Sequence, residues 1–239
     1  TNNSIKAELA DLASKIGVDL AIVPIGLIQP ARKLVVLDVD STLIEQEVIE
    51  LIAAKANVLN EVKSITDQAM RGEIDFKESL VKRVSLLEAL PESVLEDVKM
   101  EISLTPGAKN LVDTLIAQGH VVGVVSGGFT SIIKPLVQEL GIKYYRANTL
   151  EIRDGKLTGK VVGNIVDRSA KADALKDFAE LENIPLSSTI AIGDGANDLD
   201  MIAASGFGIA FKAKPIVQAA ADGALNTPYL DSVLFLLGI

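Results

Sequence analysis

The chain has no cysteine and a single histidine in 239 residues. Without thiols there is no disulfide framework, no thiolate metal site and no cysteine nucleophile. With His120 alone, a two-histidine mechanism is excluded, and so is a histidine-rich zinc site. His120 follows Gly119 at the mouth of an apolar run and reads as a surface turn residue. Basic blocks are missing too. The net charge is −9 with no cluster of Lys or Arg, which argues against nucleic acid or an anionic membrane as partner. The longest apolar stretch, Leu20 to Ile28, is interrupted by Pro24 and Gly26. It is too short to span a bilayer and is unlike a signal peptide. These absences fit a cytoplasmic enzyme. The first residue is Thr1 rather than Met, as expected of a processed chain or a fragment. Carboxylates, hydroxyls, lysine and backbone amides remain to do chemistry.

What is present is organised around Lys33-Leu34-Val35-Val36-Leu37-Asp38-Val39-Asp40-Ser41-Thr42-Leu43. Its apolar part has the length and β-branching of a strand buried on both faces. Side chains alternate along an extended chain, so Asp38 and Asp40 can point the same way. Such a pair either closes a polar turn or holds a cation or proton between two like charges.

Before this stretch, Ile5, Leu9, Leu12 and Ile16 have helical spacing, and residues 19–28 read as a strand-like run with breakers. This piece is too short for a domain; it is a flap on the core or the tail of a missing one. After Asp40, residues Ile44, Val48, Leu51 and Ile52 form one helical face. Glu47 falls on its flank, while Glu45 and Glu50 point away, towards solvent. A carboxylate at the edge of a buried stripe finds a partner or snorkels out. Residues 60–103 continue as short helices. Phe76, Leu80, Val84 and Leu87 set one face, and Arg83 lies within it. Arginine there takes an intramolecular ion pair or grips a carboxylate in a fork. One anionic and one cationic clamp in a single helical insert would suit a zwitterion such as an amino acid.

Thr105 is a fair N-cap with Pro106 at the first helical position, and that helix runs to Gly119. Val121 to Val125 is a second buried strand, ending in Ser126-Gly127-Gly128-Phe129-Thr130. A hydroxyl and two glycines there make a plain tight turn or a place where backbone N–H groups approach an anion. The next helix ends near Gly141. Residues 149–162 read as a hairpin turning at Asp154-Gly155. Ser169 is the expected N-cap of a helix running to about Glu182, which puts Lys171 in the first turn. A cation there opposes the helix dipole, so Lys171 is a surface lysine or faces a bound anion. Thr189 to Gly193 is a third strand, leading into Asp194-Gly195-Ala196-Asn197-Asp198. Phe207 to Phe211 is a fourth, followed by a helix with Pro215 near its start and Gly223 at its end. The alternation predicts a mostly parallel sheet with the loops after Asp38, Ser126 and Asp194 at one edge, where open α/β sheets bind ligands.

Four ordered motifs, Asp38-Val39-Asp40-Ser41-Thr42, Ser126-Gly127-Gly128, Lys171 and Gly193-Asp194-Gly195-Ala196-Asn197-Asp198, resemble those of the haloacid dehalogenase superfamily. With the insert segment Arg83-Val84-Ser85-Leu86-Leu87, they are similar to its phosphoserine phosphatase branch. The resemblance implies an α/β fold: a Rossmann-like three-layer core with a mostly parallel sheet, an inserted α-helical cap and a small β-hairpin. The core would comprise residues 32–43 and 104–239 and the cap 44–103. Residues 1–31 would be an N-terminal extension, possessing the length of a remnant of the regulatory domain that some relatives carry. The resemblance further implies hydrolysis of O-phosphoserine as the last step of serine biosynthesis, with Asp38 as nucleophile and Asp40 as proton donor and acceptor. One Mg²⁺ would be held by Asp38, Asp194 and the Asp40 backbone carbonyl. Ser126, Gly127, Lys171 and Asn197 would bind the phosphoryl end, and Asp198 would orient metal waters or Lys171. Glu47 would take the substrate ammonium, Arg83 its carboxylate, and Met70 with Phe76 would line a lid. It allows a homodimer. A phosphotransferase or phosphomutase would share the core motifs. A signalling receiver also has a phosphorylatable Asp, but needs neither the second Asp nor the insert.

Overall fold

β1 (Leu34–Leu37) sits at the centre of a seven-stranded sheet of order β4-β3-β2-β1-β5-β6-β7. The other strands are β2 (Val121–Phe129), β3 (Tyr144–Arg153), β4 (Lys156–Val162), β5 (Thr189–Gly193), β6 (Phe207–Phe211) and β7 (Gly223–Leu225). All neighbours pair in parallel except β3 with β4, which form a hairpin. The computed structural model describes residues 8, 9, 12, 13, 15–29, 31–70 and 73–239, with Met70 described in its backbone alone.

Why the strands read as unbroken apolar runs is visible in their packing. Val35 and Leu37 join one buried cluster, while Leu34 and Val36 join another. Successive residues point to opposite faces, so a sheet covered on both sides needs apolar side chains at every position. Helices α6 (Ala108–Ala117), α7 (Thr130–Glu139) and α11 (Ser232–Leu237) cover the first face. Helices α8 (Arg168–Leu181), α9 (Leu199–Ala204) and α10 (Pro215–Ala220) cover the second. This is the mostly parallel sheet that the alternation predicted, in the three-layer core that the resemblance implied. Between β1 and β2 come α2 (Val48–Lys55), α3 (Leu59–Met70), α4 (Phe76–Ser85) and α5 (Val94–Glu101). The turn after α4 is tied to the hairpin: Ala89 N donates to Leu157 O at 2.9 Å, and Glu92 N to Gly155 O at 2.8 Å.

Several local expectations are corrected. The stretch 19–28 is not a strand: Ala21 makes one antiparallel bridge to Gly223, and α1 (Ile25–Ile28) follows Pro24. Proline has no N–H for a ladder and suits a helix start. Asp19 pins this segment by accepting from Asn226 N, Asn226 Nδ2 and Thr227 N. Of the expected helix over 5–16, Leu9, Leu12 and Ile16 have helical backbone, and Ile5 lies outside the described residues. Gly107 (φ +80°), not Thr105, is the N-cap of α6, because the Thr105 carbonyl is already taken by Ala108 N. Asp167, not Ser169, caps α8 by accepting from Ala170 N at 2.8 Å. Gly223 opens β7 rather than ending α10. His120 is half-buried, and its Nδ1 accepts from Lys33 N at 3.3 Å. No helix among the described residues is long and apolar enough to cross a membrane.

One cluster on the edge away from the strand C-termini makes a testable contribution to stability. Glu182 takes Lys143 Nζ, Tyr144 Oη (2.5 Å) and Arg32 (2.6 Å), and its side chain is only 5% exposed. These partners, Lys143 first, hold its carboxyl down to about 2. The native state therefore binds fewer protons than the unfolded chain between about pH 4.5 and 2, so this stabilisation is full above that window and lost as pH falls through it. Glu182→Gln should lower Tm at pH 7 by about 2–4 °C, the shift for about 1 kcal/mol in a domain of this size. Thermal melts should converge near pH 2; a constant offset at both pH values would show that the charge is not responsible.

Candidate active site

The strand order reverses at β1, which has β2 on one side and β5 on the other. The loops leaving β1, β2 and β5 diverge there and leave a crevice at the C-terminal edge. A cavity of about 610 Å³ opens on it, with Asp38, Asp40, Gly127, Gly128, Asp194 and Asn197 in its lining.

Asp38 continues β1 with its own N–H on Ile192 O at 2.9 Å. Its Oδ1 accepts from Val39 N at 2.7 Å and from Lys171 Nζ at 2.8 Å. Asp40 Oδ1 accepts from Val48 N at 2.8 Å, and its Oδ2 from Ser126 Oγ at 2.9 Å. Ser126 Oγ accepts in turn from Gly128 N at 2.7 Å. A Cβ on Gly128 would lie 2.8 Å from Asp40 Oδ2, so this approach of the β2 backbone to the carboxylate requires glycine. The turn Val39–Leu43 is not helical: Ser41 has φ +56° and Ile44 N closes the loop on Val39 O at 3.0 Å. Helix α2 starts later than the periodicity suggested, at Val48, with Glu47 at its N-cap and Ile44 in a bridge to Leu104.

Lys171 is fully buried behind the cavity wall, in the first turn of α8. Burial opposes its charge, but Asp198 (2.7 Å) and Asp38 more than offset this and raise its pKa. It is therefore a cation against the helix dipole because two carboxylates face it. Asp198 also accepts from Gly195 N at 3.0 Å. A Cβ on Gly193 would lie 2.4 Å from Asp198 Cγ, so only glycine lets β5 end beneath this carboxylate. Asp194 accepts from Thr42 Oγ1 at 3.2 Å. Burial, then Asp198, pushes its carboxyl up to about 6. Burial likewise raises Asp38 well above the usual carboxylate range, with Asp198 the next cause.

The opposite wall comes from α2, α3 and α4. Glu47 accepts from Ser41 Oγ at 2.7 Å, and burial followed by Asp40 lifts it to about 7. Arg83, in the last turn of α4, donates from Nε to Ser79 O at 3.3 Å and from one terminal nitrogen to Thr66 Oγ1 at 3.4 Å. Among the described residues no carboxylate lies within ion-pair distance of Arg83, and burial lowers its pKa. The two charged groups face one cavity without meeting each other. Phe76 packs over Gly127; a Cβ there would come within 2.9 Å of its ring. The Met70 side chain lies outside the described residues.

The family model for haloacid dehalogenase-like hydrolase matches residues 35–203. The chain belongs to this family. Among haloacid dehalogenase-like relatives, the phosphoserine phosphatase of Streptomyces coelicolor is 55% identical over 235 residues, covering 98% of this chain and 57% of that protein. The chain thus spans little more than half of that relative's length. The phosphoserine phosphatase of Streptococcus thermophilus is 50% identical over 206 residues, covering 86% of this chain and 96% of that one. A solved structure described as a phospho-aspartyl intermediate analogue of phosphoserine phosphatase superposes with a TM-score of 0.82 at 43% identity, over 86% of this chain and 98% of that chain.

Two of the expected metal-binding residues, Asp38 and Asp194, lie in one acidic cluster, which Asp198 joins. Asp38, Asp194 and Asp198 each offer a carboxylate oxygen, all within 4.8 Å of one another. The Asp40 carboxylate is engaged elsewhere, by Val48 N and Ser126. An all-oxygen donor set in which the Asp38 and Asp194 carboxyls are raised by burial and by their neighbours fits a hard divalent cation such as Mg²⁺, which would relieve the repulsion among the acids. Glu50 does not point away: it lines the cavity, with Lys63 Nζ at 3.4 Å. The helix begins after Glu47, which rotates Glu50 inward relative to a face counted from Ile44. Ser41 and Thr42, quoted within the first motif without a role, hold Glu47 and Asp194, and Thr66 and Ser79 went unmarked in the sequence. Short hydroxyl side chains carry no periodic signal; only the spacing of Ser79 from Phe76 and Arg83 could have marked it.

Proposed function

We propose that this chain is a Mg²⁺-dependent phosphatase that hydrolyses O-phosphoserine to serine and phosphate through an aspartyl-phosphate. The observation that carries this reading is the pairing of a phosphoryl-transfer floor with Glu47 and Arg83, two opposite charges left unpaired with each other in one cavity. A zwitterion with a phosphoryl group satisfies both walls and the floor.

Asp38 Oδ1 is occupied by Lys171 and Val39 N, which leaves Oδ2 to attack phosphorus. The Asp38–phosphorus bond forms as the seryl oxygen leaves. Asp40, whose pKa burial raises, gives its proton to that oxygen. It then takes a proton from the water that displaces phosphate from Asp38. Lys171, Ser126 and the Gly127 amide offset charge on the phosphoryl oxygens, and Asn197 positions that end. Asp198 fixes Lys171. Glu47 takes the ammonium, Arg83 the carboxylate, and Phe76 closes the cavity over Gly127. Asp38, Asp194 and the Asp40 carbonyl would hold the metal. When bound, Mg²⁺ would supply positive charge against the phosphoryl oxygens and the clustered carboxylates. The core is residues 32–43 and 104–239, the cap 44–103 and the extension 1–31. A cytoplasmic location, as a serine-producing step, goes with this substrate.

The test is phosphate release over a panel of phosphoserine, phosphoethanolamine, a sugar phosphate and a nucleotide, with and without EDTA. Phosphoserine should lead by at least about tenfold in kcat/KM, and EDTA should abolish its turnover until Mg²⁺ is restored. Equal turnover of the sugar phosphate would favour a small-metabolite phosphatase of other specificity, and transfer to an added alcohol in place of water would favour a phosphotransferase.

A further inference from the structure

Ser79 is fully buried, lines the cavity, and its hydroxyl oxygen has no hydrogen-bond partner among the described residues. A buried hydroxyl left unpaired is unfavourable, and native chains seldom keep one. Alanine would be the better helix former at the same position. A serine there therefore calls for an occupant of the cavity.

Where Ser79 stands identifies the occupant. It lies three residues after Phe76 and four before Arg83, on the face of α4 turned to the cavity. Long helical side chains fold back towards the N-terminus. Arg83 does so, with Nε on the Ser79 carbonyl at 3.3 Å and a terminal nitrogen at Thr66 Oγ1. The guanidinium thus sits beside the Ser79 turn. Thr66 spends its own proton on Val62 O at 3.0 Å, so it adds no donor to the cavity. Ser79 carries the one hydroxyl proton on this wall with no acceptor among the described residues.

We infer that the Ser79 hydroxyl is a substrate-binding and specificity-determining group, donating a hydrogen bond to the carboxylate that Arg83 holds. The inference rests on the amino-acid phosphate reading of this cavity and deepens it. A carboxylate has lone pairs for both a guanidinium fork and a hydroxyl. The arrangement therefore selects for a carboxylate over a neutral group more sharply than Arg83 alone.

Ser79→Ala tests this on the Mg²⁺-loaded enzyme with phosphoserine and with phosphoethanolamine, which keeps the phosphate and amine and lacks the carboxylate. A hydrogen bond to a charged group is lost, so KM for phosphoserine should rise about 10- to 100-fold with kcat changed less. Phosphoethanolamine kinetics should move less than about threefold. Ser79→Cys, of similar shape and with a weak donor, should follow alanine. Tm of the substrate-free protein should hold or rise on Ser79→Ala, since an unpaired hydroxyl is removed. Unchanged phosphoserine kinetics in both variants would overturn the inference, and so would equal losses on both substrates. If the wild type fails on phosphoserine, the substrate reading falls and this inference with it. If the wild type succeeds and Ser79→Ala matches it, the inference falls alone.

Discussion

Asp38→Asn should fold normally and lose phosphoserine turnover by about 10⁴-fold or more, in line with losses of up to about 10⁶ on removing a nucleophile. The replacement keeps size and planarity, and the backbone at residue 38 remains tied to Ile192 O. It removes the attacking oxygen's charge and one of three carboxylates that crowd within 4.8 Å. Lys171 keeps Asp198 at 2.7 Å, so its buried charge is still paired. The metal-free variant should therefore melt no lower than the wild type, because relieved repulsion compensates the lost ion pair. Rapid quench with ³²P-labelled phosphoserine should trap label on the wild type and none on the variant. Turnover within tenfold of wild type would make Asp38 a metal ligand or structural group and not the nucleophile.

The second large effect concerns substrate choice. Arg83→Ala should cost about 30- to 5,000-fold in kcat/KM on phosphoserine, the equivalent of the 2–5 kcal/mol lost when one partner of a desolvated charge pair is removed. On phosphoethanolamine the same variant should change little. Glu47→Ala should show the reverse preference: a large loss on phosphoserine and a small one on phosphoglycolate, which lacks the amine. The charges face one cavity from different elements, the N-cap of α2 and the last turn of α4. Each deletion therefore reads one end of the ligand. Equal losses on every substrate would mean that the two residues hold the helices together, and the amino-acid reading would lose its support.

These expectations extend differently into the two halves of the cavity. The floor is built from loops that end central strands, so its members are anchored by the parallel ladder: Leu37 pairs with Val124 on one side and Ile192 on the other. The opposite wall is carried by helices held to the core through the β3–β4 hairpin and through packing on β2. Changes in the wall should alter KM and substrate ranking, and changes in the floor should alter kcat.

The sequence by itself determined the central strands and their ends. Continuous apolar runs at 34–37, 189–193 and 207–211, each stopped by Asp, Gly or Lys, are local signals, and burial on both faces demands them. Order along the chain was enough to foresee that Asp38, Ser126 and Asp194 would share one edge, since parallel strands present their C-terminal loops together. Tertiary structure alone decided how these groups are used. Lys171 becomes a buried cation because Asp38 and Asp198 arrive from two other elements, which no first-turn pattern reveals. Asp198 joins Asp38 and Asp194 in the acidic cluster, while the Asp40 carboxylate is held by Ser126 from the neighbouring strand and by Val48 N at the start of α2. Glu50 turns inward because the chain makes a non-helical loop at Ser41 before α2 begins. Ser79 has no hydrogen-bond partner among the described residues, because packing of α4 buries it on the cavity wall beside Arg83. The contacts of Lys171 with Asp38 and Asp198, and of Ser126 with Asp40, join residues far apart in sequence, and helical or strand periodicity carries no information about such contacts.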